Sequence, residues 1–343
     1  MLKLFKPYVS PKSISNVIEV LQSTQLAEGP QVQLFEKELE ATLNKENIVT
    51  LNSGSAALEL ALELAGIGKG DEVITPVLTC SATNLPILHR KAKIVFADIN
   101  HDLNINIEDV KQKITERTRA VIFVHFGGNN QGIEELSQLC RERNLILIED
   151  AAQAIISENW GIGDYTCVSL QAIKSITSGD GGFLITKTKE DYQKAKRLRW
   201  FGIDREKKNL GIEVDVTEAG YKYHMNDIMA AIGRGNLEQF DKIKSHINEL
   251  RAVYQSYGLF AYSWLAGGFT DDYERLKKAM LDKGIEIGQH HYRNDMYTVF
   301  GGRIKLPIMD EIEYKYFFVP LHMGVTLEDA HLIGRTYELI QRM

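Results

Sequence analysis

Three short stretches hold residues whose types and spacing can do chemistry. Leu51-Asn52-Ser53-Gly54-Ser55 runs straight into residues 56–65, a strong helix former closed by Gly66. Backbone N–H groups and hydroxyls at a helix N-terminus make a ready anion site, and glycine lets a phosphate come close. An ordinary capped helix start is the other reading. Glu149-Asp150 ends the apolar run of residues 145–148, which sets a carboxylate at the mouth of a sheet. Lys174 follows 24 residues later, between the stretch Ser169-Leu170-Gln171-Ala172-Ile173 and a glycine-rich turn that leads into Phe183-Leu184-Ile185-Thr186. A solvated charge is the ordinary fate of a lysine; burial at this place would lower its pKa and make the amine a nucleophile. Together a phosphate cradle, a strand-end carboxylate and an embedded lysine point to pyridoxal phosphate. The lysine would form the Schiff base, and the carboxylate would keep the pyridine nitrogen protonated so that the ring accepts carbanion electrons.

The elements that must position these groups alternate between strand and helix over the first 250 residues. Ser10-Pro11 opens a helix along which Ile14, Val17, Ile18 and Leu21 recur at helical spacing. Apolar runs at residues 73–75, 94–96, 120–124 and 145–148 are continuous rather than alternating, as in strands covered on both faces. Amphipathic segments at 107–114 and 133–143 separate some of them. The expectation is a mostly parallel, three-layer α/β/α domain over residues 1–240 and a smaller C-terminal α+β domain over 241–343. A long helix from about 225 to 250 would lead out of the first, and strands near 285–287 and 317–319 would belong to the second.

The chain has 343 residues, 44% of them hydrophobic and 25% charged, and a net charge of -6. Its mean hydropathy is -0.20. This balance excludes disorder and argues against a nucleic-acid surface. No apolar stretch reaches membrane-span length, and no signal peptide is evident, so no membrane and a cytoplasmic location are expected. Cys80, Cys140 and Cys167 are an odd, widely spaced set, which disfavours disulfides and structural zinc. His290-His291 stands without a second ligand cluster, so no metal is expected. Gly66-Ile67-Gly68-Lys69-Gly70 follows a helix and precedes a strand, the reverse of a dinucleotide-binding order, and reads as a turn.

Six motifs follow in order along the chain: Asn52-Ser53-Gly54-Ser55-Ala56-Ala57-Leu58, Gly70-Asp71-Glu72-Val73-Ile74-Thr75-Pro76, Glu149-Asp150-Ala151-Ala152-Gln153-Ala154, the Lys174 segment ending in Gly181-Gly182, Arg199-Trp200-Phe201-Gly202, and Gly220-Tyr221-Lys222-Tyr223-His224-Met225-Asn226-Asp227. They resemble the successive motifs of the DegT-type nucleotide-sugar aminotransferases, which share the aspartate aminotransferase fold of pyridoxal phosphate enzymes. The resemblance implies that Lys174 carries the cofactor and shuttles the proton, that Asp150 holds the pyridine nitrogen, and that Gln153 lies close to the ring. Gly54, Ser55 and Ser169 would bind the phosphate. It further implies a cycle through pyridoxamine phosphate, with glutamate as donor and a nucleotide-linked keto deoxysugar as acceptor, in a homodimer with composite sites. A dehydratase branch similar to these enzymes has histidine in place of the lysine, so Lys174 favours amino transfer.

Two departures from the family pattern bear on the site. Cys80 stands where relatives carry an aromatic residue that stacks on the cofactor ring; a thiol there packs as a small hydrophobe. Lys222 stands where relatives carry an asparagine that reaches the phosphate of the neighbouring subunit's cofactor, and it brings a full positive charge. For the substrate, Arg205, with Lys207 and Lys208, falls in the loop beyond Gly202, and arginine forks onto phosphate. His290, His291 and Arg293 are candidates for sugar or diphosphate contacts. His125 ends a strand, either near the cofactor or as a satisfied buried histidine. A related enzyme acting on a non-sugar cyclic ketone, and a non-catalytic relative that binds cofactor or nucleotide sugar, are the alternative readings.

Overall fold

The computed structural model describes residues 1–342 of the chain. Twelve strands are present among the described residues: β1 (Ile48–Leu51), β2 (Glu72–Pro76), β3 (Leu78–Thr79), β4 (Lys93–Ala97), β5 (Thr118–Val124), β6 (Ile146–Asp150), β7 (Tyr165–Ser169), β8 (Gly182–Thr186), β9 (Phe260–Ala261), β10 (Ala266–Phe269), β11 (Tyr292–Arg293) and β12 (Tyr316–Val319). Seven form one sheet in the order β1-β8-β7-β6-β5-β2-β4. The run from β7 to β4 is parallel, and β8 lies antiparallel to both its neighbours. Successive residues of the central strands face opposite layers. Ile122 and Val124 join a core with the helix Gly54–Leu64, while Val121 and Phe123 join one with the helices Ile107–Lys113 and Ile133–Glu142. Continuous apolar strands are what this double coverage requires, and the three-layer α/β fold is the one expected.

The second unit is built on the three-stranded sheet β12-β10-β9. It is stitched to the first at several points. Strand β11 pairs with β3, Asn294 donates its backbone N–H to Val77 O (2.7 Å), and Asp98 accepts the N–H groups of Ile308 and Met309 at 2.9 and 3.0 Å. The chain start also returns to it, because Leu2 bridges to Ile285. Residues near 285–287 form only this bridge and one from Gly288 to Phe318, not the strand expected there.

The stretch expected as one helix is two, Asp227–Leu237 and Phe240–Ser256. The break follows Gly233-Arg234-Gly235-Asn236, a run of low helix propensity. Asn236 spends its side chain on Ser10 N–H (2.8 Å) and Thr177 O (2.7 Å). The first helix, Pro11–Ser23, is capped by Ser10, whose hydroxyl oxygen accepts the Ser13 N–H at 3.1 Å. It lies so close to the helix Asp227–Leu237 that a Cβ on Gly235 would stand 2.3 Å from Ser13 N. Ser13, Asn16 and Val20 face this contact, and the apolar stripe Ile14, Ile18 and Leu21 points outward, each about half exposed. No described helix is long and apolar enough to cross a membrane.

Candidate active site

The chemical groups gather beyond the carboxyl ends of the parallel strands, where open α/β sheets bind ligands. Asp150 ends β6 and is buried. Its Oδ2 accepts the Thr83 hydroxyl at 2.7 Å, its Oδ1 accepts the Ala152 N–H at 3.1 Å, and the Thr79 and Thr83 hydroxyls are bonded to one another at 2.9 Å. Donors on both oxygens suit an ionised carboxylate. Lys174 lies in the turn after β7, partly buried, with its Nζ 4.0 Å from the centre of the Trp264 ring. Burial lowers its pKa to about 8, opposed chiefly by the Asp150 carboxylate. An amine with that pKa is available as a nucleophile and base near neutral pH.

The Ser53 side chain caps the helix Gly54–Leu64 by accepting the Ala56 N–H at 3.0 Å. The N–H groups of Gly54 and Ser55 open that helix and have no partner in its own turn, which is the anion-binding geometry. Gly54 is pressed against the end of β7: a Cβ there would stand 2.8 Å from Ser169 Cβ. A Cβ on Gly182 would meet Gly54 N at 2.6 Å. Backbone therefore forms the wall of this corner, and side chains would fill it. Ser169, at its edge, accepts from Gln171 N–H and keeps its own O–H to donate. Phosphate donors, an ionised carboxylate and an amine of lowered pKa fit pyridoxal phosphate.

The small lobe closes the lysine side. Trp264 is fixed by its indole N–H to Ile173 O (3.1 Å), and its backbone N–H donates to Gly127 O (2.8 Å). Its ring stacks on Phe5 at 5.3 Å and meets His290 at 5.6 Å. The His290 and His291 rings stand 3.9 Å apart. Burial, with the Lys174 charge, lowers the His290 pKa to about 4; for His291 burial and the charge of His290 act in the same direction. Gln153 accepts the Gly127 N–H (2.6 Å) and meets His291 Nε2 with its own Nε2 at 3.0 Å. Cys80 is half-buried at the N-cap of the helix Ser81–His89.

His125 is fully buried, with Nε2 2.7 Å from Glu149 Oε2 and Nδ1 2.9 Å from Asn130 Oδ1. Glu149 also accepts the N–H groups of Gly161, Ile162 and Gly163, and these donors with His125 hold its carboxyl below the usual range despite burial. This pair braces the ends of β5 and β6 and gives His125 a satisfied structural role.

Two expected substrate residues lie elsewhere. Arg293 is fully buried, and its five N–H groups are all taken: Nε and Nη2 by Asp295, Nη1 by Asp310 and Glu313, and Nη2 again by Ile304 O. No donor is left for a diphosphate, so the arginine is a structural ion-pair centre. Arg205 opens the short helix Arg205–Asn209, paired with Glu28 at 2.8 Å and 4.1 Å above the Trp200 ring. The 430 Å³ cavity it borders shares no lining residue with the Lys174 cluster. Within one chain the structure does not bring Arg205 to the lysine.

Lys222 is exposed to solvent on its strand-like segment. Its neighbours Tyr221 and Tyr223 stack at 4.6 Å, and their hydroxyls donate to Glu63 and Glu59. Extended backbone alternates its side chains, so anchoring both tyrosines on one side presents Lys222 on the other. Sequence reasoning missed Thr83 and Trp264. The spacing Thr79-x-x-x-Thr83 at a strand-to-helix junction could have signalled the first, whereas the second depends on how the lobes pack.

This fold and this set of groups define a pyridoxal-phosphate-dependent enzyme of the aminotransferase type. More particularly, residues 7–259 match the model of the DegT/DnrJ/EryC1/StrS aminotransferase family, and the chain belongs to that family. It is 37% identical over 261 residues to the spore coat polysaccharide biosynthesis protein SpsC of Bacillus subtilis, covering 73% of this chain and 67% of that one. GDP-perosamine synthase of Escherichia coli O157:H7 is 30% identical over 352 residues, covering 96% and 95% of the two chains. The solved sugar aminotransferase CalS13 of Micromonospora echinospora superimposes with a TM-score of 0.90 at 28% identity, over 99% of this chain and 100% of that one.

Proposed function

We propose that this chain moves an amino group, with glutamate as donor, onto the keto group of a nucleotide-linked deoxysugar during aminosugar biosynthesis. The observation that carries the reading is Lys174: a partly buried amine with its pKa lowered to about 8, beside the buried, hydrogen-bonded carboxyl of Asp150, in a chain of this family. The family's relatives include a GDP-perosamine synthase and a polysaccharide biosynthesis protein, which supports a nucleotide sugar as acceptor.

Bound pyridoxal phosphate supplies an electron sink for the carbon that exchanges its proton. Lys174 would hold the cofactor and carry that proton on its Nζ. Asp150 keeps a positive charge at the pyridine nitrogen, with Thr83 holding the carboxylate in place. Gly54, Ser55 and Ser169 would bind the phosphate, and Cys80 and Gln153 would hold the ring. His290 and His291, neutral beside Lys174, face the acceptor.

Lys222 and Arg205 act in the neighbouring subunit's site, which makes the unit a homodimer with composite centres. The outward face of the segment that carries Lys222 supports this. In each subunit the large domain ends near residue 240.

The test supplies glutamate and a panel of nucleotide-linked 4-keto and 3-keto deoxysugars and measures 2-oxoglutarate. Wild type is expected to release it with one or more of the sugars, and Lys174→Ala is expected to release none. Turnover retained in Lys174→Ala sinks the mechanism; turnover only with a non-sugar ketone sinks the substrate class.

A further inference from the structure

Gln153 and His291 come from different lobes, and their hydrogen bonds fix one another's chemistry. Gly127 N–H points at Oε1 of Gln153 at 2.6 Å, so that atom is the carbonyl oxygen and the other terminal atom is the NH2. The NH2 stands 3.0 Å from His291 Nε2. Since an amide nitrogen only donates, His291 Nε2 must be the unprotonated, accepting nitrogen, and the neutral ring carries its proton on Nδ1. One N–H of Gln153 is used by this bond. The second is left.

His291 is held in place at some conformational expense. Its φ of +63° lies in the left-handed region, which residues other than glycine seldom adopt. Such a conformation persists where the surroundings over-determine it. Here the Tyr316 hydroxyl donates to His291 O at 2.9 Å, the next residues pair with β3 through Tyr292 and Arg293, and the Phe126 ring stands edge-on at 5.8 Å.

We propose that His291 is a positioning residue for the cofactor: by accepting from Gln153 it locks the amide orientation and leaves one defined N–H to donate to an oxygen of the bound ring. The proposal rests on the reading of Gln153 as the neighbour of that ring. His291 itself does not touch the reacting atoms. It acts through Gln153, and the small lobe thereby sets a hydrogen bond inside the large one. Without that acceptor only the Gly127 N–H holds the amide, and its NH2 can tilt from the ring toward water.

The experiment follows uptake of pyridoxal phosphate by the cofactor-free full-length protein, reading both the affinity and the absorbance maximum of the bound cofactor. Four variants are compared with wild type: His291→Phe, His291→Gln, Gln153→Leu and the double variant His291→Phe/Gln153→Leu. Thermal unfolding checks that each is folded. His291→Phe is expected to weaken uptake about tenfold and displace the absorbance maximum, as expected when a buried donor loses its partner. His291→Gln, which again offers an acceptor, recovers the wild-type maximum. Gln153→Leu reproduces the defect of His291→Phe, and the double variant is no worse than Gln153→Leu. Independent, multiplicative losses in the double variant, or an unshifted maximum in His291→Phe, overturn the coupling. If wild type takes up no cofactor, the reading of the site itself falls, and the coupling with it.

Discussion

The lowered pKa of Lys174 has a consequence that can be measured before any substrate is identified. An amine must be unprotonated to attack the aldehyde of pyridoxal phosphate. With an ordinary pKa of 10.5, about one lysine in 3000 is neutral at pH 7; with a pKa of about 8, about one in ten is. The site thus gains roughly 300-fold in reactive amine at neutral pH. The rate at which cofactor-free protein captures pyridoxal phosphate, followed by stopped-flow absorbance, should rise about tenfold per pH unit and level off near pH 8.

Asp150→Asn removes the main influence that favours the charged amine, so the midpoint should fall below 8, by about one unit for a partly solvated pair. The sign for stability is the opposite of a salt-bridged lysine. The folded chain binds fewer protons than the unfolded one between about pH 8 and 10.5, so cofactor-free stability rises with pH across that window and is flat and lowest below it. Lys174→Met should therefore stabilise the cofactor-free protein at pH 7 by about 1–2 kcal/mol, after discounting a full shift of about 3 kcal/mol for partial exposure. A capture midpoint near 10.5, or one that climbs in Asp150→Asn, refutes the reasoning.

Other outcomes follow from single contacts. Thr83→Val removes the hydroxyl 2.7 Å from Asp150 Oδ2 while keeping the shape, and should cost about 1.5–3 kcal/mol in denaturant unfolding and about tenfold in kcat. Gly54→Ala places a methyl 2.8 Å from Ser169 Cβ, so pyridoxal phosphate affinity should drop at least tenfold by titration while thermal unfolding moves by only a few degrees. Arg293→Met strands the buried Asp295 and Glu313, and unfolding should show a loss of about 3–5 kcal/mol; a well-folded variant with a raised KM for nucleotide sugar would restore the binding role.

The sequence is most legible where one segment both forms an element and ends in a chemical group. Asp150 closes an apolar strand, Gly54 opens a helix, and Lys174 sits between a strand and a glycine turn, so local pattern alone puts all three at the sheet's mouth. Arg293 shows the limit. In the sequence it is a cation in a polar loop beside two histidines, and only folding brings Asp310 of a later helix, and Glu313 just past that helix, against it. Trp264 is similar, since nothing near it in sequence reveals that the small lobe will lay its ring over Lys174. The first helix is a third case. Its stripe of Ile14, Ile18 and Leu21 is plain from spacing, but the face that packs inside the chain is the small, polar one, because Gly235 lets the backbones approach. Period reveals a stripe, not what covers it.

The seam between the lobes has a mechanical consequence. The segment that carries Cys80 is paired through β3 with β11 of the small lobe, and Asn294 adds bonds to Val77 O, Thr79 O and Asn84. Swinging the small lobe away as a rigid flap would tear these buried bonds and drag one wall of the cofactor site along with it. Such an enzyme cannot admit its substrates by opening like a jaw. Substrates must instead enter past the rim of the site with both lobes in place. Turnover would then run over a floor that stays still.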